Sequence, residues 1–314
     1  MICAPGTTGV ASLRAAEASD ADAIQAVLEA STSHDEPSGW ARGGWSVAAW
    51  ATRTRVLVVE DRVVGVVAVR AETAPDGAVP ARVALVPAMR QAPRAVTLVQ
   101  AGVDLVRETD GQRARLFVPS SAAWIQAAAV AAGFIRVRTI AHMVLPASAP
   151  TPTAHAVAEP AYHMRAILPG EDRHVLAALN RAWTGTWNFV PITIEMLKRD
   201  LDAHREGMLL AVELDRPDHI IGTCHAVYVP GEQNPDGSPR AWISNVTVDP
   251  DFRGRGIARG MLTAGIAHLR ARGATAIHLG VDADNPAPFR LYTSVGFEVA
   301  SSHEAWDKEL PKEH

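Results

Sequence analysis

The sequence predicts a chain of mixed α/β class in which one domain fold is written twice in tandem. Three observations predict it. At roughly 150 residues per domain, 314 residues make two domains. A run of prolines and small residues at 146–160, PASAPTPTAHAVAEP, divides the chain into 1–146, an extended linker 147–160, and 161–314. Finally, a single offset of 163 residues pairs Pro87 with Pro250, Arg90 with Arg253, Leu116 with Leu279, Val118 with Val281, and Gly133-Phe134 with Gly296-Phe297.

The elements follow in order. Leu13-Arg14-Ala15 reads as a short strand, and Ser19, Asp20 and Asp22 open a helix that continues through Ile24, Val27 and Leu28. Carboxylates at that end favour the positive pole of the helix dipole. The second half opens alike: Met164-Arg165-Ala166, then Glu171-Asp172, then Val175, Leu176 and Leu179. Arg14 and Arg165 are 151 apart, so the second copy carries about twelve more residues before the shared closing register, and the loop 230–240 is their natural place. Runs rich in β-branched residues at 56–60, 63–69, 209–214 and 220–229 predict strands.

Composition limits the function. A formal net charge of −4 without a basic block argues against nucleic-acid and membrane-surface partners. Two cysteines, Cys3 and Cys224, are too few for a disulfide framework or a thiolate metal site, so no metal is expected. No apolar run nears the ~18 residues of a membrane span, and the first residues lack a signal peptide's pattern, which predicts a cytoplasmic protein.

Two segments carry chemistry. In the first, a strand ends at Val248, Pro250 stops it, and Arg253-Gly254-Arg255-Gly256 turns into a helix through Ile257, Met261, Leu262, Ile266 and Leu269, closed by Gly273. Glycines at a helix N-terminus leave amide N–H groups open and the backbone approachable, which suits an anion such as a pyrophosphate. The spacing fits neither the lysine-bearing phosphate loop nor the dinucleotide fingerprint. In the second segment a strand at 277–281 runs into a helix capped by Asp284 or Asn285 with Pro286 in its first turn. Tyr292 lies two turns on, Gly296 ends the helix, and Phe297 begins the next strand. Alone, Tyr292 would read as a core residue with a satisfied hydroxyl.

Arg253-x-x-Gly256-x-Ala258 and Asn285-x-x-x-x-x-Leu291-Tyr292-x-x-x-Gly296-Phe297 together resemble the GCN5-related N-acetyltransferase (GNAT) superfamily, over about residues 161–310. A duplicated domain with a decayed first copy is similar to the mycothiol synthase-like tandem acetyltransferases of actinobacteria. The resemblance implies two tandem GNAT domains, each a central, mostly antiparallel twisted sheet flanked by helices. It implies acetyl-CoA (coenzyme A) as co-substrate and a small-molecule amine as acceptor, in a monomer or homodimer. Arg253, Gly254, Arg255, Gly256, Ile257, Ala258 and Arg259 would hold the pyrophosphate, with Val246, Thr247, Val248 and Asn285 lining the rest of the cofactor. The backbone N–H of Val248 would face the thioester oxygen, and Tyr292 would protonate the departing sulfur.

The sequence departs from the resemblance at the base. Many family members carry a glutamate on the strand before the loop, whereas 241–248 (AWISNVTV) holds no acid. His225, Asp282 and Glu304 are the candidates, and a lone strand histidine also reads as structural. Trp183, Trp187 and Phe189 border the region of an acceptor pocket or fold onto the core. In the first copy the 163 offset puts Pro93 at Gly256, Ala122 at Asn285 and Ala129 at Tyr292, while Arg90 and Ala95 are kept. That copy is expected to do no chemistry, leaving weak coenzyme A binding or a scaffolding role; Trp40, Trp45 and Trp50 belong to it. The missing acid keeps a non-catalytic acyl-CoA-binding protein as the alternative function.

Overall fold

The computed structural model describes residues 10–35, 53–70, 74, 76–109, 111–150, 162–234 and 236–310. Cys3, Trp40, Trp45, Trp50 and residues 151–160 of the expected linker lie outside them. In chain order the first half forms β1 (Ala11–Ala15), α1 (Ala21–Asp35), β2 (Thr54–Val59), β3 (Arg62–Val69), β4 (Ala78–Leu85), α2 (Ala92–Arg107), β5 (Arg113–Pro119), α3 (Ala123–Ala131) and β6 (Ile135–Leu145). The second half forms β7 (Tyr162–Ala166), α4 (Asp172–Trp183), α5 (Ile194–His204), β8 (Met208–Glu213), β9 (Arg216–Gln233), β10 (Pro239–Val248), α6 (Ile257–Ala271), β11 (Ile277–Asp282), α7 (Pro286–Val295) and β12 (Glu298–Glu309).

Two compact units result, and they differ from the sequence halves at the closing strands. The first takes the chain to Ala141 together with Asp282–Asp284 and everything from Ala300; the second takes His142–Val281 and Asn285–Val299. In the first unit the strand order is β1-β2-β3-β4-β5-β12, antiparallel except for β4 and β5. The free edge of β5 is filled by the chain's last strand, from His303↔Pro119 to Glu309↔Arg113. In the second, β7 to β10 form an antiparallel series, β11 adds parallel to β10, and the end of β6 lies beside β11.

The repeat read from sequence is visible in side-chain contacts. Arg14 donates twice to Asp20 at 2.7 Å, and Arg165 grips Glu171 in the same way, 151 residues on. Each pair ties a first strand to the start of the helix after it. Arg90 reaches the carbonyl of Leu85 (3.1 Å) and Ser31 of α1; Arg253 reaches the carbonyls of Val248 (3.3 Å) and Ala182 of α4. Leu85 and Val248 are 163 apart, Ser31 and Ala182 are 151 apart, so both sequence offsets meet in one contact.

Each sheet is covered where its apolar residues alternate. In the first unit Val67, Leu85, Leu116 and Val118 pack with Leu98 and Val103 of α2. In the second, Met208, Leu210 and Val212 pack under Val175 and Leu179 of α4 and Leu197 and Leu201 of α5. The intervening positions turn to α6, whose Gly265 lies against Cys224, Ile243 and Ala226.

Candidate active site

The second unit's sheet opens as a fork. β10 and β11 pair only at Ala241↔Ile277 and Trp242↔His278, although both strands run on, to Val248 and Asp282. A register shift between Ile243 and Asn245 bends β10 at that point. Val248 stands opposite Gly222, and the next amide, Asp249 N–H, donates to Ile221 at 2.9 Å. Val248 is therefore in a non-hydrogen-bonded pair, and its own N–H points away from β9 into the fork; alternation sends the Val246 N–H the same way. Thr247 turns back, its hydroxyl 2.7 Å from that of Thr223, which also donates to Asn245 (3.1 Å).

Beyond Val248 the loop rises to α6. Pro250–Phe252 form one 3-10 turn, Arg253 is extended, and Gly254 and Gly256 have φ of 78° and 79°. Those left-handed angles need glycine, and a Cβ at either would meet nothing within 4 Å, so the cradle is open. Gly256 caps α6 without a side chain, and no acid stands in its first turn. Successive amides of alternating hand at a helix N-terminus form a concave anion site. The arginines are otherwise engaged: Arg255 folds onto the Asp251 carbonyl (3.2 Å) and the Phe252 ring, and Arg259 donates to Ser294 of α7. Residues 253–256 are exposed. The groups present fit a pyrophosphate held by backbone.

Tyr292, on the buried side of α7, is 8% exposed and packs edge-on against Phe297. Its hydroxyl makes no hydrogen bond among the described residues, and burial, with Cys224 nearby, pushes its pKa well above the ordinary phenol. The phenol therefore carries its proton at neutral pH. Asn285 occupies the N-cap of α7 but makes no capping bond with its side chain.

The candidate bases are dispersed. His225, 4% exposed, donates from Nε2 to the His204 carbonyl (3.3 Å), and burial lowers its pKa, so the ring is neutral and structural in its contacts. Asp282 and Glu304 belong to the first unit, Asp282 at 3.9 Å from Arg138 and Glu304 accepting from Trp306 (2.9 Å) and Gln126. Trp183 packs against the α4–α5 core. Trp187 and Phe189 are half-buried on a turn clasped by Asn180, whose side chain both donates to and accepts from Ile192.

Two clusters were not singled out by sequence reasoning. At the foot of the fork His142, His278 and Asn234 are joined by hydrogen bonds of 3.0 and 2.8 Å, with Trp242 stacked on both rings. His142 is remote in sequence, so no local pattern marks the group. Beside the loop, buried Asp249 meets Arg181 and His219.

The first copy is built differently at the matching place. Parallel pairing of β4 with β5 continues to Ala81↔Leu116, and Ala81 matches Ser244 of the bent strand. No residue from Arg90 to Ala95 has a positive φ, and Pro93 removes a donor. Ala129 is fully buried, and Trp124 lies over the Arg90 guanidinium at 4.8 Å.

The acetyltransferase (GNAT) family model matches residues 173–297. A mycothiol acetyltransferase of Thermobispora bispora is 34% identical over 203 residues, 61% of this chain and 64% of that protein. The chain thus spans less than two thirds of the length of this relative. Among solved structures, a GCN5-related N-acetyltransferase from Sphaerobacter thermophilus superposes with a TM-score of 0.75 at 24% identity, over 95% of each chain. A tandem GNAT protein from the clavulanic acid biosynthesis pathway gives 0.65 at 18%, over 97% of this chain and 100% of that one. These likenesses show the fold of the chain. No helix among the described residues is long and apolar enough to cross a membrane, and no group of three or more His, Cys, Asp or Glu there is placed to hold a metal ion. The match to the acetyltransferase (GNAT) family model thus lies in the second half of the chain, and the fold is similar to that of tandem GNAT proteins.

Proposed function

We propose that the protein transfers an acetyl or short acyl group from coenzyme A to the amine of a small molecule, with the reacting groups in the second unit. The observation that carries this reading is the open left-handed loop at Gly254 and Gly256 leading directly from the β10–β11 fork. Backbone N–H groups of 254–259 hold the pyrophosphate, and the Val248 N–H meets the charge that develops on the thioester oxygen. The neutral amine nitrogen bonds to the carbonyl carbon as the carbon–sulfur bond breaks; Tyr292 gives its proton to the sulfur, the nitrogen sheds its extra proton to solvent, and the phenolate takes a proton back from solvent. Relatives that carry the name mycothiol acetyltransferase support a small-molecule acceptor. The first copy serves as a scaffold: its loop lacks left-handed residues and Ala129 has no proton to give.

A second reading, acyl-CoA binding without turnover, is favoured by the acid-free β10 strand and by His225 being tied to a carbonyl. One experiment separates them: calorimetry with acetyl-CoA beside free-thiol release on an amine panel. The proposed enzyme binds and turns over. Gly256→Pro, which forbids φ near 79° and deletes an N–H, loses at least about tenfold in affinity. Tyr292→Phe keeps affinity within about twofold while turnover falls by about a hundredfold. Wild-type affinity in Gly256→Pro would sink the assignment, and binding without thiol release on any amine would favour the second reading.

A further inference from the structure

We infer that Asp249 is a positioning residue for the loop: clasped by Arg181 of α4, it sets the direction of the amides that receive the pyrophosphate. This rests on the proposal that the loop takes acyl-CoA. Asp249 is 5% exposed and is tied at four atoms. Its N–H donates to Ile221 (2.9 Å) and its carbonyl accepts from Phe252 (2.9 Å). One carboxylate oxygen accepts from the Asp251 N–H (3.0 Å), and the other from Arg181 Nε (2.6 Å), with His219 Nε2 at 3.7 Å. His219 is held in turn by Glu213 at 2.9 Å and lies edge-on to Phe252.

Arg181 also donates to the Ile220 carbonyl (3.0 Å), so it joins α4 to β9 as well as to the loop. Arg253 runs the other way, from the far side of the loop to the Ala182 carbonyl. The last turn of α4 is therefore strapped to both ends of the 249–253 segment. A buried carboxylate beside an anion site repels the anion unless it is neutralised, and burying it costs free energy. Burial alone would raise its pKa; the Asp251 N–H and Arg181 override that and hold it below the ordinary carboxylate range.

The two copies separate what the fold needs from what the loop needs. The Arg253 strap is common to both, as Arg90. The ion pair is not: at the same offsets Val86 replaces Asp249 and Ala30 replaces Arg181. The copy without the pair folds its sheet and helices, but its loop has no left-handed residue. The pair thus accompanies the anion cradle and not the fold. Preorganised donors bind more tightly because their ordering is complete before the ligand arrives.

The test is acetyl-CoA calorimetry on the full chain, with thermal melts alongside, for wild type, Asp249→Asn, Arg181→Met, the double variant and Arg181→Lys. Each of Asp249→Asn and Arg181→Met is expected to lose about tenfold in affinity, the double variant no more than the worse single, and Arg181→Lys to recover part of the loss. Wild-type affinity in Asp249→Asn, additive losses, or losses that only track unfolded protein would overturn the positioning role. If wild type itself fails to bind acetyl-CoA, the functional proposal falls first and takes this one with it.

Discussion

His142, His278 and Asn234 make a chain in which every hydrogen bond runs one way. The Asn234 Oδ1 can only accept, so His278 Nε2–H donates to it, which leaves His278 Nδ1 to accept from His142 Nε2–H. The chain requires His278 neutral, and burial, the neighbouring His142 and Arg240 push its pKa down to about 4. Arg240 is itself faced by Glu232 at 3.3 Å. A depressed folded-state pKa means the neutral ring contributes its full stability above the unfolded value of about 6.5. That contribution is lost as pH falls from there toward 4, by up to about 3 kcal/mol. Denaturant unfolding at pH 7.5 and 4.5 should therefore show a loss in wild type that shrinks in His278→Asn, which does not titrate. Equal losses in the two proteins would refute the assignment. Nothing in residues 241–248 or 277–282 announces this group, because its third member comes from the first half of the sequence.

Among the elements, α6 and the loop before it were the most legible, since their signals are local. Proline stops β10, glycine supplies the left-handed turn, and Ile257, Met261, Leu262, Ile266 and Leu269 recur at helical spacing and are buried. The fork was not legible in the residues themselves. It depends on a bend at Ser244 and on where pairing with β11 stops, both settled by neighbours. Packing also overrides propensity within α6. A Cβ on Gly265 would sit 2.5 Å from Cys224 Sγ and 3.0 Å from Ile243 Cδ1. Gly265→Ala should destabilise the protein by about 1–3 kcal/mol despite the roughly 1 kcal/mol that alanine adds to a helix. Its counterpart Gly102→Ala should cost less, since its nearest neighbour, Val67 Cγ2, is 3.1 Å away. Denaturation midpoints of the two variants decide it; a stabilised Gly265→Ala would contradict the packing.

At the scale of the molecule, the first unit depends on the chain's end. Arg115, 1% exposed, is held by Asp307 through two bonds of 2.7 Å and by Asp76 at 2.7 Å. Without β12 it would lose the Asp307 carboxylate, and removing one side of a buried pair costs about 3–5 kcal/mol. Trp306 and Leu310 would also leave the first core. A chain ending at 299 should therefore expose residues of β2 to β5 to limited proteolysis while β8 to β10 stay protected. Unchanged protection of both would refute that dependence.

By itself the sequence determined the duplicated fold, the loop with its two glycines, Tyr292 on the helix after β11, and the substitutions that empty the first copy of those groups. Each is a local or periodic property: proline and glycine act through backbone angles, and repeats survive as offsets. Only the tertiary structure decided that the chain's last strand closes the first unit, that β10 parts from β11 after Trp242, and that Asp249 meets Arg181. Those depend on which free edge a strand fills and on which charge a buried carboxylate can find, and such partners lie far away in sequence.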